Sequence, residues 1–293
     1  MNNYINCMAH NSSEGNLLIG SKGTALFDCG MAFCAEDTIR NVKNALNNRP
    51  LDYLFITHTH YDHIGALPFF KIEWPDLCIM TCVIGAGVLL KDTPRKIFRE
   101  LSLSAAKRFG SDNLIDYDDD LFHADKTIKE NDIISLGDIS VKVLETPGHT
   151  RDALSFFIPE LELLILNETT GVLLPDGSIY PCYLTSFNDT VNSIEKCRNY
   201  PYKYLSFPHR GIIKNNFPQN YFDRAIKEIV NCRDFIIKMK KDCHGEEQIL
   251  DLFFKKYGSE ILLKYQPKEA FMDNSRAAIA CTLKETCRQP GHC

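Results

Sequence analysis

The chain has 293 residues, of which 44% are hydrophobic and 24% are charged, and its formal net charge is -5. This composition is typical of a globular protein built as one large domain, or as one domain with a subdomain. An acidic chain without a basic stripe is poorly suited to nucleic acid, and no run reaches the roughly 18 apolar residues of a membrane helix. We therefore expect neither nucleic acid nor a membrane as a partner.

Residues 1–6 show neither the basic region nor the apolar region of a secretory signal, so we expect a cytoplasmic protein. The twelve cysteines are scattered along the chain and do not indicate a disulfide framework. Cys281, Cys287 and Cys293 are evenly spaced near the end of the sequence, but their spacing does not match common zinc motifs. The role of this tail stays open.

The first part of the sequence predicts strands that alternate with helices. Ile39, Val42 and Leu46, for example, recur at helical spacing. Strands are predicted at residues 23–28, 53–57 and 78–84, and helices at residues 35–47, 85–91 and 94–109. The acidic residues 116–125 that follow are interpreted as a solvated connection and not as a cation site.

The second part predicts four consecutive strands, one helix, one strand and then helices alone. The strands are expected at residues 133–136, 139–145, 154–158, 161–166 and 204–207, and the helix at residues 189–198. Beyond about residue 218, Ala225, Ile229, Cys232, Ile236 and Met239 form one apolar face of a long helix. Further helices are expected at residues 248–257 and 269–283.

A cluster of four ionisable side chains directly follows the apolar strand at residues 53–57. His58, His60, Asp62 and His63 lie within six positions. Imidazole and carboxylate are the usual ligands of borderline divalent metals. His58 and His60 share one side of an extended chain, whereas Asp62 and His63 follow a turn. Two pairs of ligands that face one gap suit two ions roughly 3.5–4 Å apart, so the cluster predicts a metal site with more than one ion.

The segment from His58 to His63 resembles the HxHxDH signature of the metallo-β-lactamase-fold hydrolases. Residues 146–150, with His149, resemble the next histidine motif of this family, and residues 206–211, with His209, resemble the last one. Asp28 resembles the early aspartate that supports the site from behind by holding a ligand imidazole. The similarity covers roughly residues 16–215.

The resemblance implies an α/β fold, the four-layer αβ/βα sandwich of the family. Residues 1–217 would form a metallo-β-lactamase-like catalytic domain, and residues 218–293 a C-terminal helical extension. In this superfamily such extensions commonly form part of the substrate pocket; a structural brace is the alternative. Tyr180, Tyr183 and Arg210 lie near motif ends and are candidate pocket residues, whereas His10, His123 and His244 have no motif support and are interpreted as surface histidines.

The resemblance also implies the ligand set. One ion would be held by His58, His60 and His149, the other by Asp62, His63 and His209, with Glu168 as the bridge between them. Zinc is the first expectation, and iron or manganese would suit the same ligands.

Glu168 is the one departure from the family pattern, which usually has an aspartate preceded by glycine at this place. Here the apolar residues 163–166 lead into Asn167 and Glu168, and no aspartate is available nearby. Members that resemble acyl-thioesterases also tolerate glutamate at this position. The alternative is that Glu168 is a solvated residue at a strand end and that the chain binds a single metal.

The expected function is hydrolysis of a small acyl thioester or ester by a metal-bound hydroxide, with Asp62 as ligand and catalytic residue. The resemblance to members of the hydroxyacylglutathione hydrolase and acyl-thioesterase type favours this reaction. A lactonase or phosphodiesterase with the same metal core, or a metal-stabilised binding or regulatory module with weak turnover, are the alternatives. A di-iron oxidoreductase is disfavoured because the flavodiiron proteins have an HxExD first motif. The sequence does not indicate an oligomeric state.

Overall fold

A computed structural model describes residues 3–111, 116–213 and 220–287. The chain divides into two compact units, each made of several stretches. The first unit comprises Met1–Glu145, Leu154–Ile165 and Tyr202–Ile212. The second unit comprises Thr146–Ala153, Leu166–Pro201 and Ile213–Cys293. The predicted boundary between residues 217 and 218, like Cys293 of the cysteine tail, lies outside the described residues, and the two predicted domains stay a prediction.

The strands are short. In chain order they are β1 Tyr4–Asn6, β2 Asn16–Ile19, β3 Thr24–Phe27, β4 Tyr53–Phe55, β5 Cys78–Thr81, β6 Lys126–Thr127, β7 Ile133–Ser135, β8 Ser140–Glu145, β9 Leu154–Ile158, β10 Leu163–Ile165, β11 Val172–Leu173, β12 Ile179–Tyr180, β13 Tyr204–Phe207 and β14 Gly211–Ile212. The helices are α1 Ala35–Leu46, α2 Tyr61–Ile64, α3 Leu67–Glu73, α4 Val83–Leu89, α5 Asp92–Arg108, α6 Phe187–Arg198, α7 Tyr221–Lys241, α8 Glu246–Tyr257, α9 Glu260–Tyr265 and α10 Lys268–Cys287.

Both six-stranded sheets belong to the first unit. The first sheet has the order β1-β2-β3-β4-β5-β6 and the second the order β14-β13-β10-β9-β8-β7. In the first sheet, β3, β4, β5 and β6 run parallel, so their carboxyl ends lie at one edge. This edge is where the first histidine motif emerges, because that motif follows β4.

Two apolar layers enclose the first sheet. Leu26 and Leu54 pack on one face together with Val42 of α1 and Phe70 of α3. The next residue along each strand points to the other face, because side chains alternate in a strand. There Phe27 and Phe55 meet Phe156 of the second sheet, with ring centroids 5.1–5.4 Å apart. The first unit is therefore layered as helices, sheet and sheet.

The second unit is mainly helical. The predicted apolar face of α7 is confirmed for Ala225, Ile229, Cys232 and Ile236, which are buried, whereas Met239 is partly exposed. This helix packs against α6, α8 and α10. Within the described parts of the chain, no helix has the length and apolar character needed to cross a bilayer.

The element predictions are correct in type and inexact at their ends. The strand predicted at residues 78–84 is wrong beyond Thr81, because the chain turns at Cys82, whose Sγ accepts the Gly85 N–H, and α4 begins at Val83. The helix predicted from residue 189 begins at Phe187, with Ser186 as its capping residue.

The acidic stretch after α5 is only partly the predicted solvated connection: Asp116, Asp119 and Asp120 are exposed at their side chains, whereas Tyr117 and Phe122 are buried in the core. Its carboxylates are not isolated, however. Asp119 and Asp120 lie 2.9 Å from the guanidinium nitrogens of Arg99 and Arg95, respectively, and Asp116 also pairs with Arg99. These contacts fasten the connection to α5.

The turn between β2 and β3 fastens the first sheet to the turn between β7 and β8. The N–H groups of Lys22 and Gly23 donate to the Leu136 carbonyl at 2.8 and 3.1 Å. The backbone approaches so closely that a Cβ on Gly20 would lie 2.4 Å from the same carbonyl oxygen. Only glycine fits there without a backbone shift.

We expect Gly20→Ala to lower the free energy of unfolding by about 1–3 kcal/mol, because the added methyl group overpacks this contact. Gly87→Ala is the matched control: its Cβ would meet no atom within 4 Å, and it lies inside α4. That change should stabilise the protein by about 0.5–1 kcal/mol through helix propensity. Urea unfolding followed by circular dichroism measures both; equal midpoints for the two variants would contradict the close contact.

Candidate metal centre

A buried carboxylate joins the ends of β3 and β4. Asp28 follows β3 and is fully buried. It accepts hydrogen bonds from the Thr57 N–H at 2.7 Å, from the Thr57 hydroxyl at 2.6 Å and from His63 Nδ1 at 2.8 Å. Burial raises the pKa of Asp28, whereas the neighbouring His63 and these hydrogen bonds lower it. The predicted role of Asp28, holding a ligand imidazole, matches this geometry.

These contacts determine where the imidazoles carry their protons. Asp28 is an acceptor, so Nδ1 of His63 carries the proton and Nε2 has the lone pair that a metal ligand needs. The Thr57 hydroxyl gives its single proton to Asp28. The hydroxyl oxygen therefore accepts a hydrogen bond from His58 Nδ1 at 3.1 Å. Nε2 of His58 then also has a lone pair for a metal.

The first motif leaves β4 as an extended segment and then forms α2. His58 and His60 lie on the extended part, with ring centroids 4.7 Å apart. His63 lies on α2, and its ring centroid is 4.1 Å from that of His58. The predicted change of direction between His60 and Asp62 is therefore present, since α2 begins at Tyr61.

His209 comes to the same place from the end of β13. Its backbone is left-handed, with φ of 60°, and its ring centroid lies 5.1 Å from that of His63. Its N–H donates to the Glu14 carboxylate, and Nδ1 lies 3.4 Å from the Ser13 carbonyl oxygen.

Asp62, His63 and His209 form a group that suits a divalent ion. Oδ2 of Asp62 lies 3.8 Å from Nε2 of His63 and 3.8 Å from Nε2 of His209. All three ligand atoms lie within 4.8 Å of one another. Atoms bound to one zinc ion at about 2.0–2.2 Å stand roughly 3–4 Å apart, so a small contraction would complete the group. Two imidazoles and a carboxylate suit zinc, iron and manganese alike.

Glu14 was missed by sequence reasoning. It is only 4% exposed, and it accepts hydrogen bonds from the His209 N–H and the Asn16 amide. Burial raises its pKa to about 7, although His209 and His63 act in the opposite direction. A single glutamate before a short strand gave no sequence signal, because its partner His209 lies 195 positions away.

His149 belongs to the second unit. Its Nδ1 lies 2.8 Å from the Cys182 carbonyl oxygen, which can only accept, so Nδ1 carries the proton and Nε2 has the lone pair. The preceding Gly148 has φ of 147°, and a Cβ there would lie 2.1 Å from Thr190 Oγ1. The glycine of this motif is therefore required for the turn.

Glu168 also belongs to the second unit and is tied to the His149 segment. It is 4% exposed and opens a short 3₁₀ turn, Glu168–Thr170. Thr169 Oγ1 accepts the His149 N–H at 3.2 Å. Because Glu168 is buried, its interpretation as a solvated strand-end residue is wrong. The use of His149 and Glu168 as ligands beside the first motif stays a prediction.

The other residues named from the sequence differ in how deeply they are buried. Tyr180 and Tyr183 are buried, and the Tyr183 hydroxyl lies 2.7 Å from Thr282 Oγ1; their role as pocket residues stays a prediction. Arg210 is partly exposed. His10 is not a plain surface histidine, because its ring packs against that of Phe109.

Comparison with known proteins gives the family. The sequence profile described as the Metallo-beta-lactamase superfamily matches residues 16–209. A hydroxyacylglutathione hydrolase of Bartonella tribocorum is 25% identical over 177 residues, which are 60% of this chain and 55% of that protein. The chain thus spans about half the length of the curated relatives of this type that it matches.

Solved structures agree on the fold. An archaeal metallo-beta-lactamase superfamily protein from Sulfolobus tokodaii has a TM-score of 0.56 at 19% identity, over 75% of this chain and 81% of that one. A metallo-beta-lactamase family protein from Thermus thermophilus has a TM-score of 0.59 at 16% identity, over 98% of this chain and 92% of that one. The predicted α/β sandwich with a C-terminal helical part is confirmed.

We expect Asp28→Asn to lower zinc affinity about 10–100-fold, because the amide cannot accept all three hydrogen bonds and His63 loses its orientation. Competition with a chromogenic chelator measures the affinity. Asp138→Asn is the control, since Asp138 is an exposed residue of the turn between β7 and β8 that accepts the Ser21 N–H. Equal zinc affinities of Asp28→Asn and wild type, with unchanged circular dichroism, would refute the supporting role.

Proposed function

Because the chain belongs to the metallo-beta-lactamase superfamily, we propose that it is a metal-dependent hydrolase that cleaves a small acyl thioester or ester at a dinuclear centre. The observation that carries the proposal is the convergence of Asp62, His63 and His209, with Asp28 behind His63. This arrangement supplies oriented ligands and needs no protein nucleophile. The curated relatives named hydroxyacylglutathione hydrolase support the acyl thioester as the substrate class.

The ligand set of the proposal extends beyond the first unit. His58, His60 and His149 would hold one ion, Asp62, His63 and His209 the other, and Glu168 would bridge them. When bound, divalent ions lower the pKa of a water ligand from about 15.7 to near 7 and polarise the acyl oxygen. The fixed positions of the imidazoles add to this chemistry, because no ligand has to reorganise during the reaction.

Asp62 has two tasks in the proposal. Its Oδ2 faces Nε2 of both His63 and His209 and is the ligand atom. The other oxygen, Oδ1, would accept the proton of the attacking water and fix the direction of attack. Asp62 is partly exposed, so the proton can leave to solvent without passing through the buried carboxylate of Asp28.

The reaction class is tested with wild-type protein reconstituted with zinc, iron or manganese. The panel holds coenzyme A and glutathione thioesters, an acyl-homoserine lactone and bis-p-nitrophenyl phosphate. We expect the thioesters to be cleaved fastest. Asp62→Asn should lower kcat about 100-fold or more, because it removes the carboxylate that binds the ion and moves the proton.

His123→Ala is the matched control for that experiment, because His123 is partly exposed and pairs with Asp125 away from the motifs. It should keep the full rate. Faster cleavage of the lactone or the phosphodiester would replace the thioester in the proposal. No cleavage of any substrate by protein loaded with two ions would favour a metal-stabilised binding module.

The contribution of the second unit to the centre is tested by metal content. We expect His149→Ala and Glu168→Ala to reduce the bound zinc from two ions toward roughly one per chain, since an ion needs three or four ligands. Plasma mass spectrometry after removal of loose metal measures this ratio. Asp176→Ala, in an exposed turn of the same unit, should keep both ions. Two ions in all three variants would remove His149 and Glu168 from the ligand set.

A further inference from the structure

A group of partly exposed aromatic rings lies in the first unit, and we name it the aromatic cluster: His10, Phe33, Tyr61 and Phe109. The His10 ring centroid is 4.2 Å from that of Phe109 and 5.5 Å from that of Phe33. Phe33 and Phe109 stack at 5.6 Å with 29° between their planes. Tyr61 packs against the same buried base, formed by Met31, Cys34 and Ala105.

Two segments connect the aromatic cluster directly to the candidate metal centre. Tyr61 lies between His60 and Asp62, at the start of α2. This helix packs against α5, the helix that ends at the residue before Phe109. His10 lies three residues before Ser13, whose carbonyl oxygen is 3.4 Å from Nδ1 of His209. Tyr61 is therefore part of the first histidine motif itself, and His10 lies close in sequence to a backbone group that contacts His209.

The aromatic cluster offers an apolar surface. Burial lowers the pKa of His10, and the Ser12 N–H donates to its Nδ1 at 3.1 Å, so the neutral ring carries its proton on Nε2. The Cζ of Arg108 lies 5.9 Å from the Phe109 ring centroid, at the edge of the cluster. Partly exposed aromatic rings are suited to packing against a flat apolar group.

We propose that the aromatic cluster is the binding site for the acyl group of the substrate and that it favours an aromatic acyl group over a small aliphatic one. The proposal rests on the proposed function, since it places the acyl side of a thioester next to the metal-binding loop. Phe33 and Phe109 would provide the stacking faces. Tyr61 would form the wall nearest the scissile bond, because its neighbours in sequence are predicted ligands.

The test compares two thioesters that share one leaving group, S-phenylacetyl- and S-acetyl-N-acetylcysteamine. Phe33→Leu and Phe109→Leu keep most of the apolar volume and remove the aromatic face. We expect each to lower kcat/KM roughly tenfold for the phenylacetyl substrate and less than about twofold for the acetyl substrate. Phe69→Leu is the matched control, a partly exposed phenylalanine that packs against Tyr117 instead, and should change neither value.

A binding measurement tests the acyl site independently of the proposed hydrolysis. S-benzyl-N-acetylcysteamine is a thioether that cannot be hydrolysed, and isothermal titration gives its affinity. We expect binding to wild type and to Phe69→Leu, and a loss of roughly tenfold in Phe33→Leu and Phe109→Leu. Unchanged selectivity and unchanged thioether binding in the last two variants would overturn the acyl site, even if thioesters are cleaved.

If wild type binds the thioether through the aromatic cluster but cleaves no thioester, the acyl site stands and the proposed reaction fails. If a leucine variant fails to fold, as shown by circular dichroism, Phe33→Tyr and Phe109→Tyr take its place. These keep the ring and should retain both selectivity and binding. A tyrosine variant that folds but loses the preference for phenylacetyl would contradict stacking as the cause.

Discussion

The candidate metal centre depends on the hydrogen bonds that the buried carboxylate of Asp28 accepts. This carboxylate lies at the end of β3 and binds both the backbone and the hydroxyl of Thr57, at the end of the parallel strand β4. The same carboxylate holds the imidazole of His63 on α2. Asp28 has a left-handed backbone, with φ of 57°, which costs of order 1 kcal/mol. Three hydrogen bonds to one buried carboxylate offset that cost.

Glu14 repeats this arrangement on the neighbouring strand. It precedes β2, Asp28 follows β3, and the antiparallel pairing of Asn16 with Phe27 brings both to one edge of the first sheet. Asp28 holds the side chain of His63, whereas Glu14 holds the backbone of His209. Residues flanking a single hairpin therefore contact two histidines that come from distant parts of the chain. These supports lie just outside the ends of β2 and β3, two strands whose side chains are almost all buried.

The sequence predicted features whose residues lie close together along the chain better than features formed by distant residues. The group from His58 to His63 was found because all its members lie within six positions after one strand. Glu14 could not be found, since its role exists only through a contact with His209 across the fold. The aromatic cluster was missed for the same reason: His10 had no motif, and its packing partners Phe33 and Phe109 come from other elements.

The ends of the strands were predicted inexactly for a different physical reason. The apolar run after Cys78 continues past Thr81, so its pattern extends a strand that the backbone ends at Cys82. Strands of two residues, such as β6 and β14, carry no pattern at all and form only because a neighbour offers its hydrogen-bonding edge. Sequence patterns therefore indicated the layers of the fold better than the limits of its elements.

The imidazole tautomers suggest why this scaffold would bind metal readily. Nδ1 of His63 donates to Asp28, Nδ1 of His149 to the Cys182 carbonyl, and Nδ1 of His58 to Thr57. In the neutral form of each ring, the contact places the proton away from Nε2 before any ion arrives, so binding requires no tautomer exchange. Such supports orient the ligands but do not recognise a substrate. Specificity would then depend on other residues, and in our proposal these are the residues of the aromatic cluster.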